Sequence, residues 1–404
     1  MTETLHTELA SPPPARRGRW FRRVRLLVLI LAPLAALGWR YRITRPEYRL
    51  ARGHEAMRAN DHERVGQFAD RLEASGHADL ANLLRGEALL HLGSPKLALV
   101  QFNKIAADGP VRQRAAVLTG RALLAIGDLR EAHRVFSVVV AEQPDNPDGH
   151  RGLAAIAYDL GHSGQAIDFL TRVAELDPHD SRPHNLIGLI CKDLRLNVDA
   201  EAAYEECLRR GGQPSVERDA KLGLAEVQAR LHKYAEGLET IRDVEIASAG
   251  EQPNPVAVRA ECLRGLGRTA ESAAVLDAAL VTHPSAILHR VRGQTHQDAG
   301  DLPQAVRSFE RSVELDPREP QSHYLLAQAY TAAGRKDEAT RAYAKLDLLR
   351  GKFDAITRLS SEAMEKPWDA NVRLKLADLS DDMGQPKLAQ MWRKAAAACA
   401  ESER

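Results

Sequence analysis

The residue types best suited to chemistry in this 404-residue chain are its 15 histidines and its adjacent carboxylates. The histidines are scattered, and even His283 and His289 are too far apart to share one helix face. Neighbouring carboxylates such as Glu205 and Glu206 point in different directions on a helix, unlike an acid/base pair that faces one substrate. Motifs for phosphate loops, dinucleotide turns, zinc proteases and nucleophile elbows are missing. We therefore predict no catalytic residue, no metal site and no cofactor, and we expect the chain not to be an enzyme.

The segment from Gly149 to Pro178, GHRGLAAIAYDLGHSGQAIDFLTRVAELDP, shows how the chain builds its elements. Its apolar residues recur at helical spacing on both sides of Gly161, which indicates two short amphipathic helices joined by a tight turn. Pro178 should end the second helix, because proline lacks the backbone donor and clashes with the preceding turn. The segment thus predicts a helix–turn–helix unit.

This unit recurs with a period of 34 residues. Each copy has a small residue on its first helix, an alanine and a large apolar residue on its second helix, and a proline near its end. In that order the positions are Gly86, Gly120, Ala154 and Gly188; Ala98, Ala132, Ala166 and Ala200; Phe102, Phe136, Leu170 and Tyr204; and Pro110, Pro144 and Pro178. Looser copies follow, in which the turns carry His232, Gly267, Gly300, Gly334 and Gly384.

A helix pair with this period and these offsets resembles the tetratricopeptide repeat. The resemblance implies an all-α fold, a right-handed superhelical solenoid of antiparallel helix pairs that spans residues 46–404 in about nine or ten repeats. The interval from Gly334 to Gly384 exceeds one period, and apolar residues at helical spacing within it predict an extra helix, or a half-eroded repeat, near 348–365. The last repeat should begin near residue 370.

The resemblance also implies a groove, lined by the first helices, that holds an extended peptide or a partner's helix. Carried over position by position, the ligand-binding residues would be Arg114, Arg121, Arg151, Tyr158, Arg182, Asn185 and Lys192, and the lining then turns acidic or neutral from Asp219 through Glu226, Glu261, Gln294, Tyr324 and Gln328. The basic stretch could hold acidic side chains or a C-terminal carboxylate. The alternative is an ordinary solvated charged face. The carboxylate-clamp variety of the family is only partly matched, by Asn185 and Lys192.

The four cysteines, Cys191, Cys207, Cys262 and Cys399, show neither CxxC nor Cys/His zinc spacing. Cys191 and Cys207 fall in one unit, where a disulfide would need a location outside the cytoplasm and closely spaced helices. We favour buried packing roles for all four. The net charge of +1 gives no whole-chain field that would indicate nucleic acid as a partner.

Residues 1–25 form a basic tail that we expect to be disordered, with Pro12–Pro14 followed by six arginines between positions 16 and 25. Residues 26–39, LLVLILAPLAALGW, carry no charge and predict a single transmembrane anchor. They span only about 21 Å as a helix, so flanking residues would have to lengthen the apolar part. A cleaved signal peptide, with Ala36 and Gly38 before the cut, and a buried soluble helix are the alternatives.

The arginines before the anchor indicate a cytoplasmic N-terminus, which would place the repeats in the periplasm or an equivalent extracytoplasmic space. Together these features predict a single-pass, membrane-tethered scaffold or adaptor that binds a protein or peptide partner in its groove. A peptide-binding, chaperone-like factor of the envelope and a regulatory subunit of a membrane enzyme complex are the alternatives.

Overall fold

A computed structural model describes residues 45–245, 254–366 and 369–400. Within those residues the chain forms 20 helices and no strand, which confirms the predicted all-α class. The helices are α1 (Pro46–Arg58), α2 (His62–Ala74), α3 (Ala78–His91), α4 (Pro95–Phe102), α5 (Arg112–Ile126), α6 (Leu129–Glu142), α7 (Pro147–Asp159), α8 (Ser163–Leu176), α9 (Arg182–Asp193), α10 (Asn197–Arg210), α11 (Pro214–Arg230), α12 (Tyr234–Thr240), α13 (Pro255–Gly265), α14 (Thr269–Thr282), α15 (Ala286–Asp298), α16 (Leu302–Leu315), α17 (Pro320–Ala332), α18 (Lys336–Glu365), α19 (Ala370–Asp382) and α20 (Pro386–Ala400). The chain divides into two compact units, Met1–Ala115 and Ala116–Arg404.

Helix starts follow from local chemistry. Proline occupies the first position of α1, α4, α7, α11, α13 and α17, where its missing N–H costs nothing and its fixed φ suits a helix. Asp128 and Asn146 cap α6 and α7, because each side chain accepts a hydrogen bond from a backbone N–H of the first turn. The second helix of the unit ends at Leu176, two residues before Pro178, as predicted.

The turn inside each helix pair requires a left-handed backbone conformation. The predicted turn glycines adopt it, with φ of +81° at Gly161 and +74° at Gly267. Among the described residues, three others adopt it without being glycine: Asn60, Arg195 and His232, with φ of 56°, 62° and 62°. His232 therefore replaces the turn glycine in backbone conformation as well as in sequence.

The small and large positions of the repeat interlock. Phe136 is buried against two glycines, and a Cβ built on Gly120 would lie 2.6 Å from its ring. Tyr204 is packed in the same way. A Cβ built on Gly188, in the same helix pair, would lie 2.7 Å from its ring. Ala132, Ala166 and Ala200 have no exposed surface. Because a side chain cannot enter these contacts without overlap, they fix how closely successive helices approach.

Within the unit 116–404, successive helices pack in chain order, and the first helices of neighbouring pairs also touch: α9 with α11, α11 with α13, and α13 with α15. These contacts form a row of first helices, which we call the inner row. The last described helix, α20, packs on its predecessor α19 and, out of chain order, also against α6 and α7. Trp392 is buried there, although it stands one position earlier than the repeat pattern places its large residue.

The predicted extra helix near 348–365 is not a separate element. It is the second half of α18, one continuous helix of 30 residues. Between Lys336 and Glu365 the sequence has no proline, and its single glycine, Gly351, is exposed within the helix. Since nothing interrupts the backbone hydrogen bonds, the second helix of this pair continues through the extra segment.

The predicted basic tail at 1–25 and the predicted transmembrane anchor at 26–39 lie outside the described residues. Among the helices that are described, none is both long enough and apolar enough to cross a membrane. The four cysteines do lie in the described part. All are buried and none is bridged, so Cys191 and Cys207 act as packing residues, as favoured above.

Candidate protein-binding site

The predicted groove residues occupy first helices, but their charges are largely used within the chain. In the unit that ends at Ala115, Arg114 forms an ion pair with the buried Glu87 at 2.6 Å. Arg121, on the part of α5 that belongs to the other unit, is exposed. A cation that is already paired offers less attraction to an acidic ligand.

Arg151 and Arg182 share one buried carboxylate. Nη2 of Arg151 and Nε of Arg182 lie 2.8 and 2.7 Å from the two oxygens of Asp180. Arg151 also contacts Asp148 at 2.6 Å. Burial alone would raise the pKa of Asp180, but the hydrogen bonds from Arg182 and Arg151 outweigh it and hold that pKa below its usual value. The geometry therefore does not favour an anion site at this point of the surface, and the binding role of both arginines stays a prediction.

Lys192 is buried and forms an ion pair with Glu226 at 2.9 Å, and Arg230 contacts the same carboxylate from the next turn of α11. Asn185 is partly buried on the same helix as Lys192. These contacts begin a polar stretch along the inner row. It continues where Arg290 lies 3.6 Å from both Glu261 and Glu319.

A cavity of about 410 Å³ lies along this polar stretch, and its lining residues include Glu226 and Glu261. Burial raises the pKa of Glu261, while the positive charge of Arg290 opposes the shift. Acidic and basic groups alternate along the cavity, so most of its charge is compensated inside the chain. Arg230 and Arg290 were not predicted as groove residues, although each stands on a first helix.

Between α7 and α9 the surface is apolar rather than charged, and it forms a pocket of about 300 Å³. Its lining residues are Arg151, Ala154, Ala155, Tyr158, Asp159, Leu170, Leu186, Leu189 and Ile190. Ala154, Leu170 and Ile190 are buried, whereas Tyr158, Leu186 and Leu189 keep 41, 45 and 36% of their surface exposed. Large apolar side chains that remain exposed around a concave site are typical of protein-binding surfaces.

The repeat itself creates this pocket. Ala154 and Ala155 are short side chains on α7, and they leave space that Tyr158, one turn later, only partly fills. Leu186 and Leu189 stand at i and i+3 on α9, so they border the space from the opposite helix. Of the predicted site residues, Arg151 and Tyr158 meet here. The two leucines were missed, although apolar residues next to predicted groove positions were a usable signal.

Two carboxylates influence this pocket. Partial burial raises the pKa of Tyr158, and the negative charges of Asp193 and Asp159 raise it further. Among the described residues, no group of three or more potential metal ligands occurs, at this pocket or elsewhere. The arrangement therefore offers an apolar cavity with negative charge beside it.

Comparison with known proteins agrees with this architecture. Sequence profiles of the tetratricopeptide repeat match residues 123–190 and 290–349. This chain contains tetratricopeptide repeats. The first matched segment includes the whole apolar pocket, and the second includes α16, α17 and part of α18. The sequence likeness to this family therefore covers these two segments, while no curated protein is similar enough in sequence to match.

Three solved structures illustrate the likeness. A tetratricopeptide repeat protein from Parabacteroides merdae is 16% identical, with 62% of this chain and 98% of that chain covered and a TM-score of 0.42. One chain of a structure described as the APC/C hetero-tetramer Cut9–Hcn1 is 13% identical, with 92% of this chain and 82% of that chain covered and a TM-score of 0.45. YrrB, described as a TPR protein with an unusual peptide-binding site, is 16% identical, with 47 and 96% covered and a TM-score of 0.39. At these values the likenesses say nothing of this chain's partner.

Proposed function

We propose that this tetratricopeptide repeat protein is a scaffold that binds a segment of a partner protein against α7 and α9. The observation that carries the proposal is the apolar pocket, where Tyr158, Leu186 and Leu189 stay exposed while the neighbouring cations are paired within the chain. Burial of exposed apolar surface is the main favourable term in protein association. Repeats of this family are protein-binding modules, which is consistent with such a role.

The scaffold would be tethered to a membrane by residues 26–39, with the arginine-rich N-terminus in the cytoplasm and the repeats outside it. This part of the proposal rests on the sequence alone. Protease treatment of intact cells and of spheroplasts tests it. Digestion of the repeats only after the outer barrier is opened would support the orientation, whereas full protection in spheroplasts would contradict it.

Photo-crosslinking tests the binding role. A photoreactive phenylalanine analogue placed at Leu189 should capture a partner protein in cells, and mass spectrometry should identify one stoichiometric product. The matched control is the same analogue at Val281 on α14, a residue that is 84% exposed and lies far along the chain from the pocket. Equal products from both positions would contradict the proposal.

The identity of the product separates the alternatives. Many unrelated extended proteins crosslinked at Leu189 would favour a chaperone-like factor of the envelope over a dedicated scaffold. A single enzyme that also co-purifies with the chain would favour a regulatory subunit.

A further inference from the structure

The last helix, α20, places a lysine beside the apolar pocket. Nζ of Lys394 lies 3.3 Å from Oδ2 of Asp159, the last residue of α7. Asp159 also lines the apolar pocket, and it lines a second cavity, of about 470 Å³, together with Lys394. One carboxylate therefore belongs both to the pocket and to the contact with α20.

Neighbouring contacts fix this lysine in place. The ring of Trp392 packs on the turn at Gly161, where an added Cβ would lie 2.5 Å from the ring. The aliphatic stem of Lys394 covers Gly127, and Nη2 of Arg130 donates a hydrogen bond to the carbonyl oxygen of Cys399 at 3.3 Å. Helix α20 is thus held at the turns of Gly127 and Gly161, and these contacts place Lys394 next to Asp159.

Negative charge is in excess at this end of the pocket. Arg151 is occupied by Asp148 and Asp180, as described above, and Lys192 by Glu226. Asp193 is close enough to Tyr158 to affect it electrostatically, and it forms no ion pair among the described residues, although Lys192, Arg230 and Arg195 act on it from a longer distance. Lys394 is the cation that forms an ion pair with Asp159 at this end of the pocket.

We propose that the pocket accepts a partner segment with a large apolar side chain next to a lysine or arginine, and that the partner's cation competes with Lys394 for Asp159. The proposal rests on the scaffold function above and specifies its partner. The apolar side chain enters between Tyr158, Leu186 and Leu189. Asp159 lines the pocket and keeps 28% of its side chain exposed, so a cation from a bound partner can reach the carboxylate that Lys394 contacts.

Two labelled peptides of equal length test the chemistry on the full chain by fluorescence anisotropy. One contains phenylalanine between two lysines and the other contains phenylalanine between two glutamates. We expect the basic peptide to bind at least five-fold more tightly, and we expect no saturable binding when alanine replaces its phenylalanine. Equal binding of the two phenylalanine peptides, or tighter binding of the acidic one, would overturn the proposal.

Substitutions in the chain test the competition. Lys394→Gln should tighten binding of the basic peptide by about two- to five-fold, the range of a partly exposed ion pair. Asp159→Asn should weaken it by a similar factor, whereas Asp168→Asn on the exposed face of α8 should leave it unchanged. An unchanged affinity in Lys394→Gln would overturn the competition. Should a variant misfold, as seen by circular dichroism, the peptide comparison on the unaltered chain still decides the chemistry.

Failure here is distinguishable from failure of the scaffold role. If the photo-crosslink at Leu189 captures a partner through an acidic segment, the scaffold stands and the basic–apolar preference is wrong. If the basic peptide binds but Leu189 captures nothing in cells, the pocket chemistry stands and the scaffold role is wrong.

Discussion

Individual residues set the turns of this solenoid, and Arg195 shows what happens when the usual glycine is replaced. Its φ of 62° lies in the region that costs a residue with a Cβ roughly 1–2 kcal/mol. It stands 34 positions after Gly161, so the repeat imposes the turn on whichever residue occupies it. The sequence period therefore identifies the turn even where the residue type does not.

Arg195→Gly should raise the free energy of unfolding by about 0.5–1 kcal/mol, because the relief of backbone strain exceeds the added entropy of glycine in the unfolded chain. Urea denaturation followed by circular dichroism measures the change. Arg195→Ala is the control, since it removes the same side chain but keeps the strained φ. A gain as large in Arg195→Ala would show that the side chain, not the backbone, is responsible.

His184 should make the protein less stable in acid. Burial, followed by the positive charges of Arg210 and Arg209, lowers the pKa of His184 from 6.5 to about 4, and its buried Nε2 has no hydrogen-bond partner. Because the folded-state pKa lies below the unfolded value, the unfolded chain binds more protons between these values. Stability is then lost as the pH falls from about 6.5 to about 4.

We expect His184→Gln to reduce that loss by on the order of 1–2 kcal/mol, a value discounted for the partial exposure of the ring. Unfolding free energies measured at pH 7 and pH 4 give the difference. The exposed His179, changed to glutamine, serves as the control. Identical acid sensitivity in His184→Gln and the unaltered chain would contradict the assignment.

At the scale of helices, the fold depends on small residues that face large ones. Ala166 has no exposed surface and lies in the core that joins α7, α8 and α9. A larger side chain cannot be accommodated there without moving a helix. The same reasoning applies to each alanine that the 34-residue step places on a second helix.

Ala166→Trp should lower the free energy of unfolding by about 1–3 kcal/mol or more, since it overpacks this contact. Thermal and urea unfolding measure it. Asp168→Trp introduces the same side chain at an exposed position of the same helix and should have little effect. A melting temperature in Ala166→Trp that equals that of the control would argue against the packed helix pair.

Much of this architecture is readable from sequence because its determinants are local. The turns, the proline stops and the small–large pairing all lie within one 34-residue unit. The pairing of Lys192 with Glu226 could also have been predicted from the sequence, since the two residues are one period apart. The contact between Asp159 and Lys394 was not, because it joins residues 235 positions apart and depends on the path of every helix between them.

At the scale of the whole molecule, the contact of α20 with α6 and α7 sets the unit 116–404 apart from a solenoid whose last repeat packs only on its predecessor. This contact also explains why Trp392 is buried. The repeat offsets place Arg393, four residues after Ala389, at the large position of the repeat formed by α19 and α20. Arg393 is exposed, but Trp392, one residue earlier, is buried on the turn at Gly161. The large side chain is thus covered by repeats near the start of the unit.

Gly161→Ala should be more destabilising than Gly300→Ala. Both replace a turn glycine, with φ of +81° and +78°, so both incur about 1–2 kcal/mol of backbone strain. Only at Gly161 does the new Cβ meet Trp392, since no atom lies within 4 Å of the corresponding position at Gly300. We expect an additional loss of about 1–3 kcal/mol, measured by urea unfolding.

The additional loss should disappear when Gly161→Ala is combined with Trp392→Ala, because the side chain that it displaces is then gone. Equal losses in Gly161→Ala and Gly300→Ala would show that α20 does not rest on this turn.

The docking of α20 also bears on how the unit would open. A linear repeat array frays from its free ends, since a terminal repeat has only one neighbour. Here α20, the last described helix, is also tied to Arg130 and Asp159, so it cannot fray without losing contacts to repeats more than 200 residues earlier. Amide hydrogens of α20 should therefore exchange with deuterium as slowly as those of an internal repeat. A partner whose cation displaces Lys394 from Asp159, as proposed above, would remove one of these contacts and should make that exchange faster.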